Sequence, residues 1–449
     1  MSNTLLAIDI GSSKISSVIA TISDTKEIFL EGSSLNKAKG IQKGLITDVK
    51  LASEAIKLSI DKAQIMADST LSSAIVSISH AYTKNVHSEA SIEIVASSVN
   101  INDIEEVIKI AIENAQILPE YEIIHTFPTT FTLDNEKKVK DPIEMDAQFL
   151  EVNLLIVLAE KSYLSKLRQA ILSAGVEIDT MVINGYASML ATTDEEERAS
   201  DFNLVDLGAQ TSNLIIYKEN SIVSSDYLAV GSNHITNDLS IALKTPLKIA
   251  QKLKHKYVDL DNPTNDIISL PLKDDEENFQ DISLEFITLI VRSRVEETLK
   301  LLKKSLEAFE EKIPSKIIIT GGMTKLTGFE GIAQEIFSDM NVVIASPKAI
   351  DTLNATFEDP TFATLIGLLK YSSKENIPYE INFKEKITTI KEVPIEEKEV
   401  TMHIPEIPII KEPSNLKSIF ETDFDNVKTI EKKDSTLIKR FLNAIKKLV

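Results

Sequence analysis

Asn203-Leu204-Val205-Asp206-Leu207-Gly208-Ala209-Gln210-Thr211-Ser212-Asn213-Leu214-Ile215-Ile216-Tyr217 reads as a strand, a small polar turn and a second strand. Asp206 stands at the end of the first apolar run. Gly208 and Ala209 have little or no side chain, so backbone N–H groups at the turn can point at an anion. Thr211 and Ser212 add hydroxyls. A carboxylate beside such a turn suits a phosphate whose magnesium is held through water. Asp-x-Gly is also a common hairpin turn, so this stretch by itself is first of all a plain turn.

The same pattern opens the chain. Leu5-Leu6-Ala7-Ile8-Asp9-Ile10-Gly11-Ser12-Ser13-Lys14-Ile15-Ser16-Ser17-Val18-Ile19 is again strand, Asp-x-Gly, small hydroxyl residues and strand. Two distant copies suggest two similar domains facing each other across a ligand. A third apolar strand, Lys316-Ile317-Ile318-Ile319-Thr320, ends in Gly321-Gly322-Met323-Thr324 and leads through Leu326-Thr327-Gly328-Phe329 into a helical run. The three motifs together are far more specific than any one.

In this order they resemble the two phosphate loops and the adenosine loop of the actin-like ATPase superfamily. Within it the chain is similar to the FtsA family, bacterial actin homologues of the division ring, over roughly residues 1 to 372. Ile123-Ile124-His125-Thr126-Phe127-Pro128-Thr129-Thr130-Phe131-Thr132-Leu133-Asp134, followed by Asp141-Pro142-Ile143-Glu144-Met145, resembles the small subdomain inserted in that family. Glu144 and Ala147 stand where the family often has glycines. Gly40 to Asp48 resembles the family's segment before the first helix, and Met181 to Leu190 its connecting helix between domains.

The resemblance implies a two-domain α/β actin-like ATPase fold with repeated Asp-x-Gly hairpins, an inserted small α+β subdomain, a disordered linker and a C-terminal amphipathic helix. The expected divisions are the first subdomain (1A) at 1–81, the inserted subdomain (1C) at 82–161, and 1A again with its connecting helix at 162–200. Subdomain 2A follows at 201–229, 2B at 230–306, and 2A with the closing helix at 307–373. The linker is expected at 374–434 and a membrane-targeting helix at 435–449.

Composition bounds the function. A net charge of −20 argues against general nucleic-acid binding, and any contact with an anionic membrane must be local. There is no cysteine, which excludes disulfides, thiolate metal sites and cysteine nucleophiles. No stretch approaches the ~18 consecutive apolar residues of a membrane span. There is no Gly-x-x-x-x-Gly-Lys phosphate loop, no Gly-x-Ser-x-Gly elbow, and no His-x-x-x-His pair among the six histidines. His125 reads as structural.

Local periodicity adds elements. Asp48 is an N-cap for a helix to Met66 whose apolar face includes Val49, Ala52, Ile56 and Ala63. Two short strands are expected between 82 and 101, and then a capped helix from Asn102. Gly175 stops a helix over 163–174. Asn262 to Gln280 reads as a polar loop, and Leu284 to Phe309 as a long helix. Beyond 373, Glu, Lys and isolated Pro dominate without a period. Ile404 to Ile410, broken by prolines, is either a docking element or scattered linker residues.

The last fifteen residues have the clearest period. Leu437, Ile438, Phe441, Leu442, Ile445, Leu448 and Val449 fall on one helical face, with Lys439, Arg440, Asn443, Lys446 and Lys447 on the other. This is the composition of an interfacial helix. At about 1 kcal/mol per cation near an anionic leaflet, the four cations contribute about 4 kcal/mol, and apolar insertion supplies the rest. The other readings are a helix packed on the body and a helix for a partner's groove.

By resemblance, ATP and Mg2+ lie between the domains. Gly11, Ser12, Ser13 and Lys14 face the phosphates from one side; Gly208, Ala209, Gln210 and Thr211 close from the other. Asp9 and Asp206 organise magnesium and its waters. Gly231, Gln251, Lys254, Gly321, Gly322 and Met323 surround ribose and adenine; Gln251 stands where the family often has an acid. Related chaperones have Glu-Pro near the connecting helix, where this chain has Asn184-Gly185, so at most weak ATPase activity is expected and nucleotide acts mainly as a conformational and assembly switch. The family implies filaments of the chain itself, the FtsZ C-terminal peptide, anionic inner-membrane lipids and other division proteins as partners. The resemblance also implies a site of action at the cytoplasmic face of the bacterial inner membrane, peripherally, at the division site. Rival readings are a pilus-assembly actin homologue and a small-molecule kinase of the same fold.

Overall fold

A computed structural model of the chain describes residues 3–273, 277–309, 312–348, 350, 355–382 and 429–430. The expected tail helix, with Leu437, Ile438, Lys439, Arg440, Phe441, Leu442, Ile445, Lys446, Lys447 and Leu448, lies outside the described residues, as does the patch at 404–410.

The first hairpin is β1 (Asn3–Ile10) and β2 (Lys14–Ile22), followed by β3 (Ile28–Lys37). The short pair β4 (Ile41–Gln42) and β5 (Leu45–Ile46) precedes α1 (Val49–Ala67), which Asp48 caps by accepting from Leu51 N at 3.0 Å. Then come β6 (Ser73–Ile78) and the insert: β7 (Thr83–Glu93), α2 (Ile101–Asn114), β8 (Tyr121–Leu133), β9 (Lys137–Val139) and β10 (Phe149–Glu160). The first domain resumes with α3 (Lys161–Ser173), β11 (Glu177–Ile183) and α4 (Asn184–Thr192).

The short α5 (Glu195–Arg198) leads into the second domain. It holds β12 (Phe202–Leu207), β13 (Ser212–Lys218), β14 (Ser221–Leu228), α6 (Ser232–Ala242), α7 (Leu247–Lys256), β15 (Ile267–Pro271), β16 (Phe279–Ser283) and α8 (Leu284–Glu307). After these come β17 (Lys316–Thr320), α9 (Phe329–Ile336), β18 (Asn341–Ile344), α10 (Ala363–Ser372), β19 (Ile381–Asn382) and β20 (Thr429–Ile430).

The two halves are built alike. The first sheet has the order β3-β2-β1-β6-β11 and the second β14-β13-β12-β17-β18. Each is an antiparallel three-strand meander extended by two parallel strands. A parallel neighbour requires a crossover, and each domain supplies it by a long excursion before its fourth strand. Helices α4 and α10 cross between the two cores and are buried on nearly every side, as a helix packed all round must be. Their backbones approach so closely that a Cβ on Gly367 would lie 1.7 Å from Ala187 O.

The structure revises four local expectations. The two short strands expected between 82 and 101 are one long strand, β7, since pairing with β10 runs unbroken from Thr83 to Glu93. The polar stretch 262–280 contains β15, whose Ile268 and Leu270 alternate into the second core. The turn near Asp141 survives the loss of glycine: Glu144 itself takes the left-handed conformation at φ 60°. Finally, structure does not stop at 373. Residues 374–382 return to the insert, where β19 adds to the edge of β8, and β20 pairs with β15. Two pieces of the stretch expected as linker at 374–434, Ile381–Asn382 and Thr429–Ile430, are therefore paired strands.

Candidate functional site

The two Asp-x-Gly turns close by the same bond: Gly11 N donates to Lys14 O at 3.0 Å, and Gly208 N to Thr211 O at 3.0 Å. A Cβ at either glycine would meet that acceptor oxygen at 2.9 and 2.7 Å. The glycines thus permit the tight turn rather than a left-handed backbone, and they leave the backbone open to a close ligand.

Asp9 and Asp206 end the two central strands and are both buried. Asp9 Oδ1 accepts from Ser77 Oγ at 3.0 Å, and Ser77 Oγ also accepts from Ile10 N at 3.0 Å. Asp206 Oδ2 accepts from Ser188 Oγ on α4 at 3.0 Å. Burial raises both carboxyls; Lys14 and Ser77 oppose this at Asp9. Asp206 is pushed up to about 6 by burial and by the charge of Asp9, against its hydrogen bonds from Ser188 and Asn213 and the charge of Lys14. Burial lowers the Lys14 ammonium, which Asp9, Asp359 and Asp206 partly hold up.

Lys14 donates to Thr361 O and lies 4.0 Å from the centre of the Phe362 ring. Its charge therefore sits between the two acids and the start of α10. Ser12 Oγ accepts from Gly44 N at 2.8 Å, and Gln210 Oε1 accepts from Lys43 N at 2.6 Å. One turn of the first domain so touches both hairpins. Ser13 is exposed.

On the second side, Ser232 N donates to Gly208 O at 3.0 Å and Asn233 N to Ala209 O at 2.8 Å. The start of α6 is stitched to the loop, and Gly231 must be small because a Cβ would meet Gly208 O at 2.6 Å. Lys254 is buried, donates to Ser232 O at 3.1 Å, and is lowered to about 8 by desolvation. Gly321, at φ +95°, presses on the second hairpin; a Cβ there would lie 2.6 Å from Asp206 Oδ1. Gln251 is exposed on α7. Met323 is buried in the second core, so any part it takes at the cleft belongs to its backbone.

A magnesium nucleotide fits these residues. Two carboxyls raised by burial, one of them also by the charge of the other, are relieved by a cation near both, and the glycine turns admit phosphate beside them. Among the described residues no group of three or more His, Asp or Glu is placed to hold a metal. A divalent cation here would take its remaining oxygens from phosphates and water. Bound there, it would neutralise phosphate charge.

Sequence reasoning missed Ser77, Ser188, Thr361 and the Lys43-Gly44 turn. Only Ser77 leaves a local trace, as a hydroxyl inside the apolar run Ile75 to Ile78. The others reach the cleft by tertiary contact alone.

The family model "Cell division protein FtsA" matches residues 203–367, and the model "SHS2 domain inserted in FTSA" matches residues 81–158. A cell division protein FtsA of Helicobacter pylori is 32% identical over 454 residues, covering 92% of this chain and 92% of that protein. Among solved structures, a PilM–PilN type IV pilus biogenesis complex matches with a TM-score of 0.59 at 16% identity, over 82% of this chain and 98% of that one. MreB5 of Spiroplasma citri bound to ADP matches with a TM-score of 0.50 at 12% identity, over 83% of this chain and 99% of that one. These two likenesses concern the fold.

Proposed function

The chain belongs to the FtsA family of cell division proteins, and on that premise we propose that it is an ATP-binding, actin-like adaptor that polymerises and tethers FtsZ filaments of the division ring to the cytoplasmic membrane. The observation that carries the nucleotide part is the pair of like hairpins, each ending in a buried acid, Asp9 and Asp206, with Lys14 reaching from the first to the start of α10. MreB5 of Spiroplasma citri, similar in fold, was solved bound to ADP, which supports a nucleotide in this fold. Gly11, Ser12, Ser13, Lys14, Gly208, Ala209, Gln210 and Thr211 hold the phosphates. Asp9 and Asp206 hold magnesium through water, and Gly231, Lys254, Gly321 and Gly322 line the nucleoside side.

Nucleotide acts here as a switch for conformation and assembly. Asn184 and Gly185, at the start of the connecting helix, offer no carboxylate to orient an attacking water. Among the described residues no helix is long and apolar enough to cross a membrane, and the membrane contact is assigned to residues 435–449. Filaments multiply that single weak contact by avidity.

The test is sedimentation of anionic liposomes with purified FtsZ and ATP, using the intact chain and a version ending at Asp434. FtsZ pelleting with vesicles only in the presence of the intact chain is the expected result. Vesicle binding that leaves FtsZ in solution would replace the division adaptor with a pilus-type scaffold. Loss of both would make the tail a protein-docking helix.

A further inference from the structure

Residues 374–382 form a strap that runs from the end of α10 back across the insert. At its centre Glu380 is completely buried. His125 Nδ1 donates to Glu380 Oε1 at 2.6 Å, Tyr371 Oη to Oε1 at 3.0 Å, and Tyr186 Oη to Oε2 at 2.9 Å. The His125 tautomer is fixed, because Nε2 accepts from Ile183 N at 3.2 Å and leaves the proton on Nδ1. Tyr186 Oη in turn accepts from Ile377 N at 2.8 Å. One carboxylate thus ties together β8 of the insert, α4 and α10.

The strap is held against its own backbone preference. Tyr379 has φ 60°, a left-handed value costly for a bulky aromatic. It stays there because its ring meets Phe131 edge-on at 5.6 Å and its hydroxyl donates to Asp141 Oδ1 at 2.6 Å. Strain of this kind persists only where surrounding contacts over-determine it. Withdrawing Glu380 would leave three buried donors without a partner, so partial release is disfavoured and the strap is either seated or free.

The same two helices reach the nucleotide cleft. Tyr186 stands two residues before Ser188, which donates to Asp206. Ser188 Oγ also pairs with Thr364 Oγ1 at 3.0 Å, at the opposite end of α10 from Tyr371. From this we infer that the strap is a two-state latch, through which the seating of Glu380 and the closure of the nucleotide cleft bias one another by way of α4 and α10. The inference rests on the cleft being the nucleotide site.

Hydrogen exchange and ATP titration of the full chain in solution test it, with magnesium and without membranes. Glu380→Gln keeps the shape but replaces one acceptor oxygen by an amide donor. We expect amide exchange over 374–382 and over Tyr186–Ser188 to rise at least tenfold, and MgATP affinity to change at least threefold. Because coupling is reciprocal, MgATP should change strap exchange in the unaltered chain by a similar factor. If Glu380→Gln fails to fold, Tyr371→Phe removes a single donor and should shift both readouts less, in the same direction. A strap that opens while affinity and exchange at Tyr186–Ser188 stay unchanged overturns the latch, as does a strap that does not open. Asp206→Ala is the control: unchanged MgATP affinity in that variant discards the cleft assignment, and the latch is then judged on exchange at Tyr186–Ser188 alone.

Discussion

The first and second hairpins share one sequence pattern and one turn hydrogen bond, yet they are tied to different things. Asp9 is fixed by Ser77 on the neighbouring strand of its own sheet. Asp206 is fixed by Ser188 on a helix that crosses between the domains. The first acid therefore moves with its sheet, and the second responds to the crossing of α4 over α10. Lys14 leaves the first hairpin and reaches Thr361 at the start of α10; the matching position in the second hairpin is Thr211, which carries no charge. A repeated motif thus becomes one wall whose acid is tied to its own sheet and one whose acid is tied to a crossing helix.

The largest expected effect comes from Lys14, which offsets both acids. Lys14→Met should destabilise the nucleotide-free chain by about 3 kcal/mol at neutral pH, because it leaves two buried carboxylates without a cation. Chemical denaturation at pH 7 and pH 5 checks this: the loss should shrink at the lower pH, where Asp206 takes up a proton.

Next is the pH dependence of Asp206 itself. With its carboxyl raised from 3.8 to about 6, the folded chain binds this proton more readily than the unfolded one. Its contribution to stability is full below about pH 4 and is lost as pH rises through about 6. Asp206→Asn should remove that slope, worth about 3 kcal/mol, in melts without metal or nucleotide. An unchanged slope would mean that Asp206 titrates as in an open site.

Asp206→Ala should then lower MgATP affinity at least tenfold, about 1.4 kcal/mol, with little effect on ATP in the presence of a chelator. Titration calorimetry with and without magnesium separates the two. Affinity and magnesium dependence that stay as before would remove Asp206 from the site.

The smallest effects sharpen the comparison most. Ser77→Ala and Ser188→Ala each delete one hydrogen bond to an acid, at about 1 kcal/mol. Only Ser188→Ala should also raise hydrogen exchange across α4. Equal exchange in the two variants would make the walls equivalent after all.

Several features were legible because they are local. The Asp-x-Gly turns, the Asp48 cap, the stop at Gly175 and the helix from Leu284 depend on nearest neighbours in the chain, and the structure places each where the pattern indicates. β15 was hidden because only two of its residues face a core, inside a stretch of polar composition. The strap was hidden for a different reason. Glu380 and Tyr379 look like linker residues, and only contacts with His125, Tyr186 and Phe131, distant in sequence, make them buried.

By itself the sequence determined the duplicated hairpins, the family resemblance and the acids at the two strand ends, since strand period and turn chemistry are written residue by residue. The tertiary structure alone decided which acid is joined to a crossing helix, that Lys14 spans to the start of α10, that the Met323 side chain belongs to the core, and that the chain after α10 seats a buried carboxylate. Those are pairings between segments far apart in the chain, set by how two sheets and an insert pack around two crossing helices, and no local pattern encodes them.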